Sequence, residues 1–405
     1  MRNKEINKPL EARKASPLLV SLSAVILGII AGGLLILAVG KNPIEGFDRI
    51  LFGAFSNKRR IGNTLGMATQ LIFMGLSFSF AYKTGLFNIG GSGQMLIGGI
   101  TCTILGHYLP LSIPKPLYII IVLVAAIVSG AVWGLISGFL KARFNVHEVV
   151  SSIMLNWTAY WIVYDCIPRY VIDPTIVVKS KPLNFNHTLG LRWLQKLTGM
   201  STLNLGLLFA VIACIVIWFI LDKTTLGFNL KAVGSNRFCA EYAGIKVNRS
   251  IMVSMAIAGA LAGLAGLSYY CGYSNIMEMG KMPNEGFDGI AVGLLGNCSP
   301  IGVFFSAIFF GALKMGKGSL AATGIPTELA DTIIAVIIYF TATNVIIASF
   351  WNNMFKNSYE KKEEAIRIAM EEDSIDKPIE SLYSKERKAL IAKGKALIKS
   401  RKEGK

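Results

Sequence analysis

Residues 16–40 read SPLLVSLSAVILGIIAGGLLILAVG, 25 positions without a single charge. A helix needs about 20 such residues to cross roughly 30 Å of hydrocarbon, so this block alone commits the chain to a membrane. It is too long for the core of a signal peptide and no small-x-small cleavage site closes it, so it reads as a retained first span. Comparable blocks recur at 63–82, 86–108, 116–140, 147–165, 203–221, 250–272, 286–297, 301–315 and 329–351. Together they predict an all-α polytopic membrane protein of about ten transmembrane helices.

A net charge of +17 would point to nucleic acid in a soluble chain. Here Lys and Arg flank the apolar blocks and crowd the end of the chain, where they meet water and membrane lipid, so no nucleic-acid partner is expected. The six cysteines are scattered and mostly lie in or beside apolar blocks, the pattern of buried thiols rather than of metal ligands or a disulfide framework. His107, His147 and His187 are far apart, with no HExxH pattern, so neither a metal site nor a catalytic residue is expected.

The domain plan is simple: a short N-terminal segment 1–15, a membrane domain 16–351, and a charged tail 352–405 that is either a surface helix or disordered. Residues 165–201 form a proline-bearing loop outside the membrane, and 222–249 a polar connection on the other side. Lys and Arg counts over the two sets of loops nearly match, 13 against 14, and the 14 in the tail assign both termini to the cytoplasm. Gly130, Gly134 and Gly138, and Gly259 with Gly263, recur four apart, a spacing that lets helix backbones approach closely.

Two blocks are weakened from within. TGLFNIGGSGQMLIGG, residues 84–99, carries six glycines with Asn88, Ser92 and Gln94; GFDGIAVGLLG, 286–296, is short and punctuated by glycine. Irregular backbone at membrane depth survives only where protein or a watery cavity surrounds it. Transporters use paired interruptions of this kind, one in each of two structural repeats. The expected repeats are 62–165 and 248–351, starting on opposite sides of the membrane and each with an interrupted helix. In the polar connection, Ser235 or Asn236 can cap a short helix that runs to Ala243 and ends at Gly244. Two turns of helix are not stable alone in water, so this one needs a docking partner.

These segments carry a resemblance. GLFNIGGSGQMLIGG is similar to the GLFNIGAEGQM-like signature of membrane permeases in ABC importers, with Gly91 and Ser92 where Ala and Glu are usual. NVHEVVSSIMLNW, LKAVGSNRFCAEYAGI and GFDGIAVGLLGNCSPIGV resemble further elements of that family in the same order, over roughly residues 60–350. The family is the ribose and branched-chain amino-acid permease superfamily, and the likeness is closest to its purine-nucleoside branch, served by Bmp-type binding lipoproteins.

The resemblance implies a permease subunit in a bacterial cytoplasmic membrane. It would pair with a second permease, identical or paralogous, sit on ABC ATPase subunits and receive substrate from an extracytoplasmic binding lipoprotein. No cofactor is expected on this chain; ATP and Mg belong to the partner ATPase. Residues 235–245 would form the coupling helix, with Gly234, Asn236, Arg237, Ala240, Glu241 and Gly244 in and around it. Arg237 and Glu241, four apart, can pair with each other or with the ATPase. GALKMGKG at 311–318 imitates a phosphate-binding loop but has Gly318 where a hydroxyl is required.

For a nucleoside the pathway should offer amides and flat aromatic faces. Asn88, Ser92 and Gln94 at the first break, Asn156 and Trp157, and Phe287 with Asp288 at the second meet that need, and interhelical hydrogen bonding is the plainer role for the polar ones. Glu148 is a carboxylate at the start of a span, where it faces a cavity or simply favours the positive end of its helix. Tyr269 and Tyr270 read as interfacial anchors or, less directly, as pathway residues. Two alternatives stay open. One is an ABC permease for a sugar such as ribose, with branched-chain amino acids a further substrate option. The other is an ion-coupled secondary transporter, which would have to work with few intramembrane acids, chiefly Glu148, Asp288 and Asp331.

Overall fold

The computed structural model describes residues 15–320, 327–373 and 384–402. Of the predicted N-terminal segment only Ala15 falls among them, and tail residues 374–383 and 403–405 also lie outside. The described residues form sixteen α-helices and no strand, only two isolated bridges in the loops. In order, the helices are α1 (Pro17–Ala38), α2 (Pro43–Leu51), α3 (Lys58–Lys83), α4 (Gly91–Tyr108), α5 (Lys115–Phe144), α6 (Glu148–Cys166), α7 (Arg192–Leu197) and α8 (Gly206–Lys223). There follow α9 (Thr225–Ser235), α10 (Arg237–Tyr242), α11 (Val247–Ser268), α12 (Glu285–Leu295), α13 (Pro300–Leu320), α14 (Thr327–Ala342), α15 (Asn344–Glu372) and α16 (Ser384–Lys402). Six of these, α1, α3, α5, α8, α11 and α13, are long and apolar enough to cross a membrane unaided.

Val25–Ala342 form one compact unit. Its central helix is α3, which is buried along most of its length although it carries Thr64, Thr69, Gln70, Ser77 and Ser79 inward. Hydroxyls can be buried there because they bond to backbone carbonyls, as Thr69 does to Leu65 at 2.8 Å and Ser77 to Ala258 of α11 at 2.7 Å.

The contacts give each helix a direction. Ser77 meets Ala258 and Thr84 meets Ser254, so α3 and α11 are antiparallel. Against α3, α12 runs parallel, with Gly289 at Met74 and Gly293 at Phe78, while α13 returns with Val303 at Gly75 and Gly311 at Ala68. On α11, α4 runs parallel and α5 antiparallel. The runs α3–α5 and α11–α13 therefore have the same helix order with opposite sense, the inversion expected of the repeats 62–165 and 248–351 over these helices.

The glycines four apart bring α5 and α11 into close contact. A Cβ on Gly130 would lie 2.9 Å from Gly263 Cα, and one on Gly134 the same distance from Gly259 Cα. Backbone packs on backbone there, which gives α5 and α11 dispersion contact where lipid supplies no hydrophobic drive.

Several features differ from expectation, among them helices α7 and α9 within the segments read as loop and polar connection. Residues 84–90 are not helical, so α4 starts at Gly91 rather than at 86. The last predicted span splits, α14 ending at Ala342 and α15 starting at Asn344. Finally α2 was not anticipated; Asn42 caps it by accepting from the Ile44 amide, Pro43 opens it, and Phe47 and Ile50 pack inward.

The second unit joins Met1–Ala24 to Thr343–Lys405. In it Trp351 Nε1 donates to Ser23 at 3.0 Å, and Val20 and Ala24 pack on Ile347. The tail is a helical hairpin: Ile366, Ala369 and Met370 of α15 enclose Leu390 of α16, Gly394 sits against Ala365, and Lys393 pairs with Asp373.

Candidate functional site

A helix that starts inside a membrane protein exposes amides with no partner in its own first turn. At the first break these are supplied by side chains from elsewhere. Asn156 of α6 accepts from the Gly93 amide at 2.8 Å and donates to the Ile89 carbonyl at 3.0 Å. Asn88 and Gln94 form a reciprocal amide pair, at 3.0 and 3.2 Å, while Asn88 also accepts from the Gly90 amide. All three amide side chains are buried. Changing Asn156 to Ala strands one donor and one acceptor, each worth about 1–3 kcal/mol when buried. The expected result is a clear loss of thermal stability of the purified chain, which Asn156→Asp restores in part because it keeps the acceptor for Gly93.

The two breaks touch each other. Ser92 donates to the Pro283 carbonyl at 2.9 Å, and Gly286 lies so close that a Cβ there would fall 2.5 Å from the Ser92 amide nitrogen. Residues 274–284 approach this point from one end of the bundle and 84–90 from the other, where Gly85 packs on Gly234.

Beside the second break is a cavity of about 600 Å³. Tyr269, Tyr270 and Phe287 give it aromatic walls, and Asn284, Glu285, Asp288 and Lys314 give it polar ones. The tyrosines reach it because the end of α11 widens into a π-helical turn, Tyr269–Tyr273. Lys314 of α13 forms an ion pair with Asp288 and lies 3.7 Å from Glu285, both on the first turn of α12. One turn on, Lys317 pairs with Asp331 at 2.6 Å. At the mouth, Glu278 is held below the usual carboxylate range by Lys179 and Lys281, at 2.8 and 3.1 Å, which fastens the 172–180 loop to the second break.

At the other end of the bundle stands α10. Asn236 caps it by accepting from the Phe238 and Cys239 amides, and Gly244 ends it at φ +83°, a conformation glycine adopts without strain. Ala240 is buried, whereas Phe238 and Tyr242 are 67% and 97% exposed. Arg237 lies over the Phe238 ring, and among the described residues no ion pair joins it to Glu241. Gly234, at the end of α9, packs on Gly85, so this segment bears directly on the first break.

Of the residues singled out from sequence, Asn88, Ser92, Gln94 and Asn156 come together as the buried network joining the breaks, and Phe287 and Asp288 line the cavity. Two lie elsewhere. Glu148 pairs with Lys141 at 2.9 Å, tying the start of α6 to the end of α5. Trp157 is on the outer face of α6, half exposed and edge-on to Tyr160. Sequence reasoning passed over Glu285 and Lys314. The available signal was a lysine between Leu313 and Met315 in an apolar span, a position that demands a nearby acid.

Comparison with known proteins follows the same lines. Residues 60–342 match the family described as branched-chain amino acid transport system / permease component, and the chain belongs to it. It is a multi-pass membrane protein, the membrane subunit of a transporter. The nucleoside ABC transporter permease protein NupB of Lactococcus lactis subsp. cremoris is 39% identical, over 82% of this chain and 93% of that protein. The guanosine ABC transporter permease protein NupP of Bacillus subtilis is 38% identical, over 83% and 96%. The glucose ABC transporter permease protein TsgB13 of Haloferax volcanii is 27% identical, over 83% and 90%. No solved structure matches the chain.

Proposed function

We propose that this chain is the permease subunit of an ATP-binding-cassette importer that carries purine nucleosides into the cell. The observation that carries the reading is the 38–39% identity, over nearly the whole of each relative, to permeases named for nucleosides and guanosine. The cavity is consistent with it: flat aromatic faces beside amide and carboxylate groups suit a planar base on a hydroxylated sugar.

In this reading Asn88, Ser92, Gln94, Asn156, Phe287 and Asp288 belong to the pathway or hold its two halves in register. The exposed aromatics of α10 enter a groove on a partner ATPase, which binds ATP and Mg and supplies the energy. A cleft beside α10, with Arg143, Arg237 and Lys246 on its walls against the one acid Glu241, adds positive charge for the same docking. A second permease subunit and an extracytoplasmic binding lipoprotein complete the importer, with both termini and the helical tail in the cytoplasm. A sugar is the second reading, favoured by the glucose permease among the relatives.

The test is uptake of labelled guanosine and adenosine in cells lacking nucleoside uptake that co-express the chain, its ATPase and its binding protein, with ribose and leucine as competitors. Saturable entry that requires the ATPase and ignores ribose is expected. Entry abolished by ribose would move the substrate to sugars, and vanadate-insensitive entry collapsed by an uncoupler would replace the ABC mechanism with ion coupling.

A further inference from the structure

We propose that Glu285 and Asp288 form a receptor for vicinal hydroxyls, the ribose diol of the transported nucleoside, with Lys314 holding the two carboxylates in position. The inference rests on the nucleoside reading and deepens it.

Glu285 and Asp288 are three residues apart on the first turn of α12, so they share one face. That face borders the cavity, and their side chains are 11% and 13% exposed. Two carboxylates so placed repel each other unless a cation lies between them, and Lys314 does. It engages Asp288 through Oδ2 and approaches Glu285 through Oε1. Among the described residues no hydrogen bond is made to Asp288 Oδ1 or Glu285 Oε2. An ionised carboxylate accepts at both oxygens, so the pair keeps acceptor capacity for a ligand that brings donors.

The lysines say what that ligand is not. Lys314 is held by Asp288 and Glu285, and Lys317 by Asp331, so neither ammonium is left for a phosphate or a carboxylate. The cavity lining holds four acids and three lysines, a balance that disfavours an anion further. What fits is an uncharged solute with adjacent hydroxyls at one end and a flat ring at the other. Adjacent hydroxyls donate two hydrogen bonds side by side, and Tyr269 and Phe287 offer the ring its faces.

The test compares initial uptake of guanosine and 2′,3′-dideoxyguanosine by the complete importer, in wild type, Glu285→Gln and Glu285→Asp. The binding protein is the same throughout, so a change in the ratio between the two solutes belongs to the permease. Wild type should favour guanosine by at least about tenfold, the worth of a hydrogen bond to a charged group. Glu285→Gln should bring the ratio to within about threefold while Glu285→Asp keeps most of it. Should Glu285→Gln fail to reach the membrane, Asp288→Asn provides the same reading. A wild-type ratio near one, or a ratio that neither variant changes, overturns the diol receptor and leaves the nucleoside importer standing. If wild type takes up no guanosine although all subunits are assembled, the nucleoside reading itself falls, and the receptor with it.

Discussion

Replacing Gly286 with valine is expected to abolish the folded permease. At this position α12 lies against the first turn of α4, and a Cβ would fall 2.5 Å from the Ser92 nitrogen and 2.8 Å from its Cα. Both are backbone atoms of a segment already fixed by Asn156, Asn88 and Gln94, so neither can turn aside as a side chain would. Overpacking a close contact typically costs about 1–3 kcal/mol, and contact with rigid backbone belongs at or above the top of that range. The measurement is size-exclusion of the tagged chain in detergent, where the monodisperse peak should be lost. Gly318→Ala is the control: nothing lies within 4 Å of a Cβ there, and the chain should behave as wild type. A Gly286→Val chain that folds and transports normally would mean that the two breaks do not meet as described.

The second large effect is the reverse in kind. Phe238 and Tyr242 are largely bare, so replacing both with alanine removes almost no internal packing, and the chain should keep its yield and melting behaviour. Transport should nevertheless fall by at least tenfold, since about 2 kcal/mol or more per buried aromatic is a usual loss at the centre of an interface. Copurification of the ATPase with the tagged permease should fall with it. Full transport with both side chains truncated would remove α10 from the coupling path. Loss of transport with the ATPase still bound would place the role of these residues after assembly.

How much of this was legible in the sequence depended on how locally each feature is determined. The long spans could be read because an uncharged run of 20 residues has few alternatives in water or lipid. The cap and stop of α10 could be read because Asn236 and Gly244 act on their own neighbours. The two weakened segments announced the interrupted helices through their glycines. The partners of those breaks could not be read: Asn156 lies 63 residues from the amide it satisfies, and no pattern near Gly93 names it. Glu285 and Lys314 escaped for a similar reason, since each looks like a misplaced charge until α12 and α13 fold onto each other. α2 was missed because nine residues with a mixed face fall below the length at which a helix declares itself, although Asn42–Pro43 marked its start.

The eleven residues of α12 measure about 16 Å, half the thickness of a bilayer core. Such a helix is too short to cross a membrane alone, and its first turn carries two acids. Its partners come from both directions along the chain: α3 and α4 made earlier, α13 with Lys314 made later. The tight turn at Asn297 and Cys298, both at positive φ, makes α12 and α13 a hairpin. The short helix is thus complete only with its neighbours: α13 carries the lysine that neutralises its acids, and α3 and α4 supply the surface it lies on.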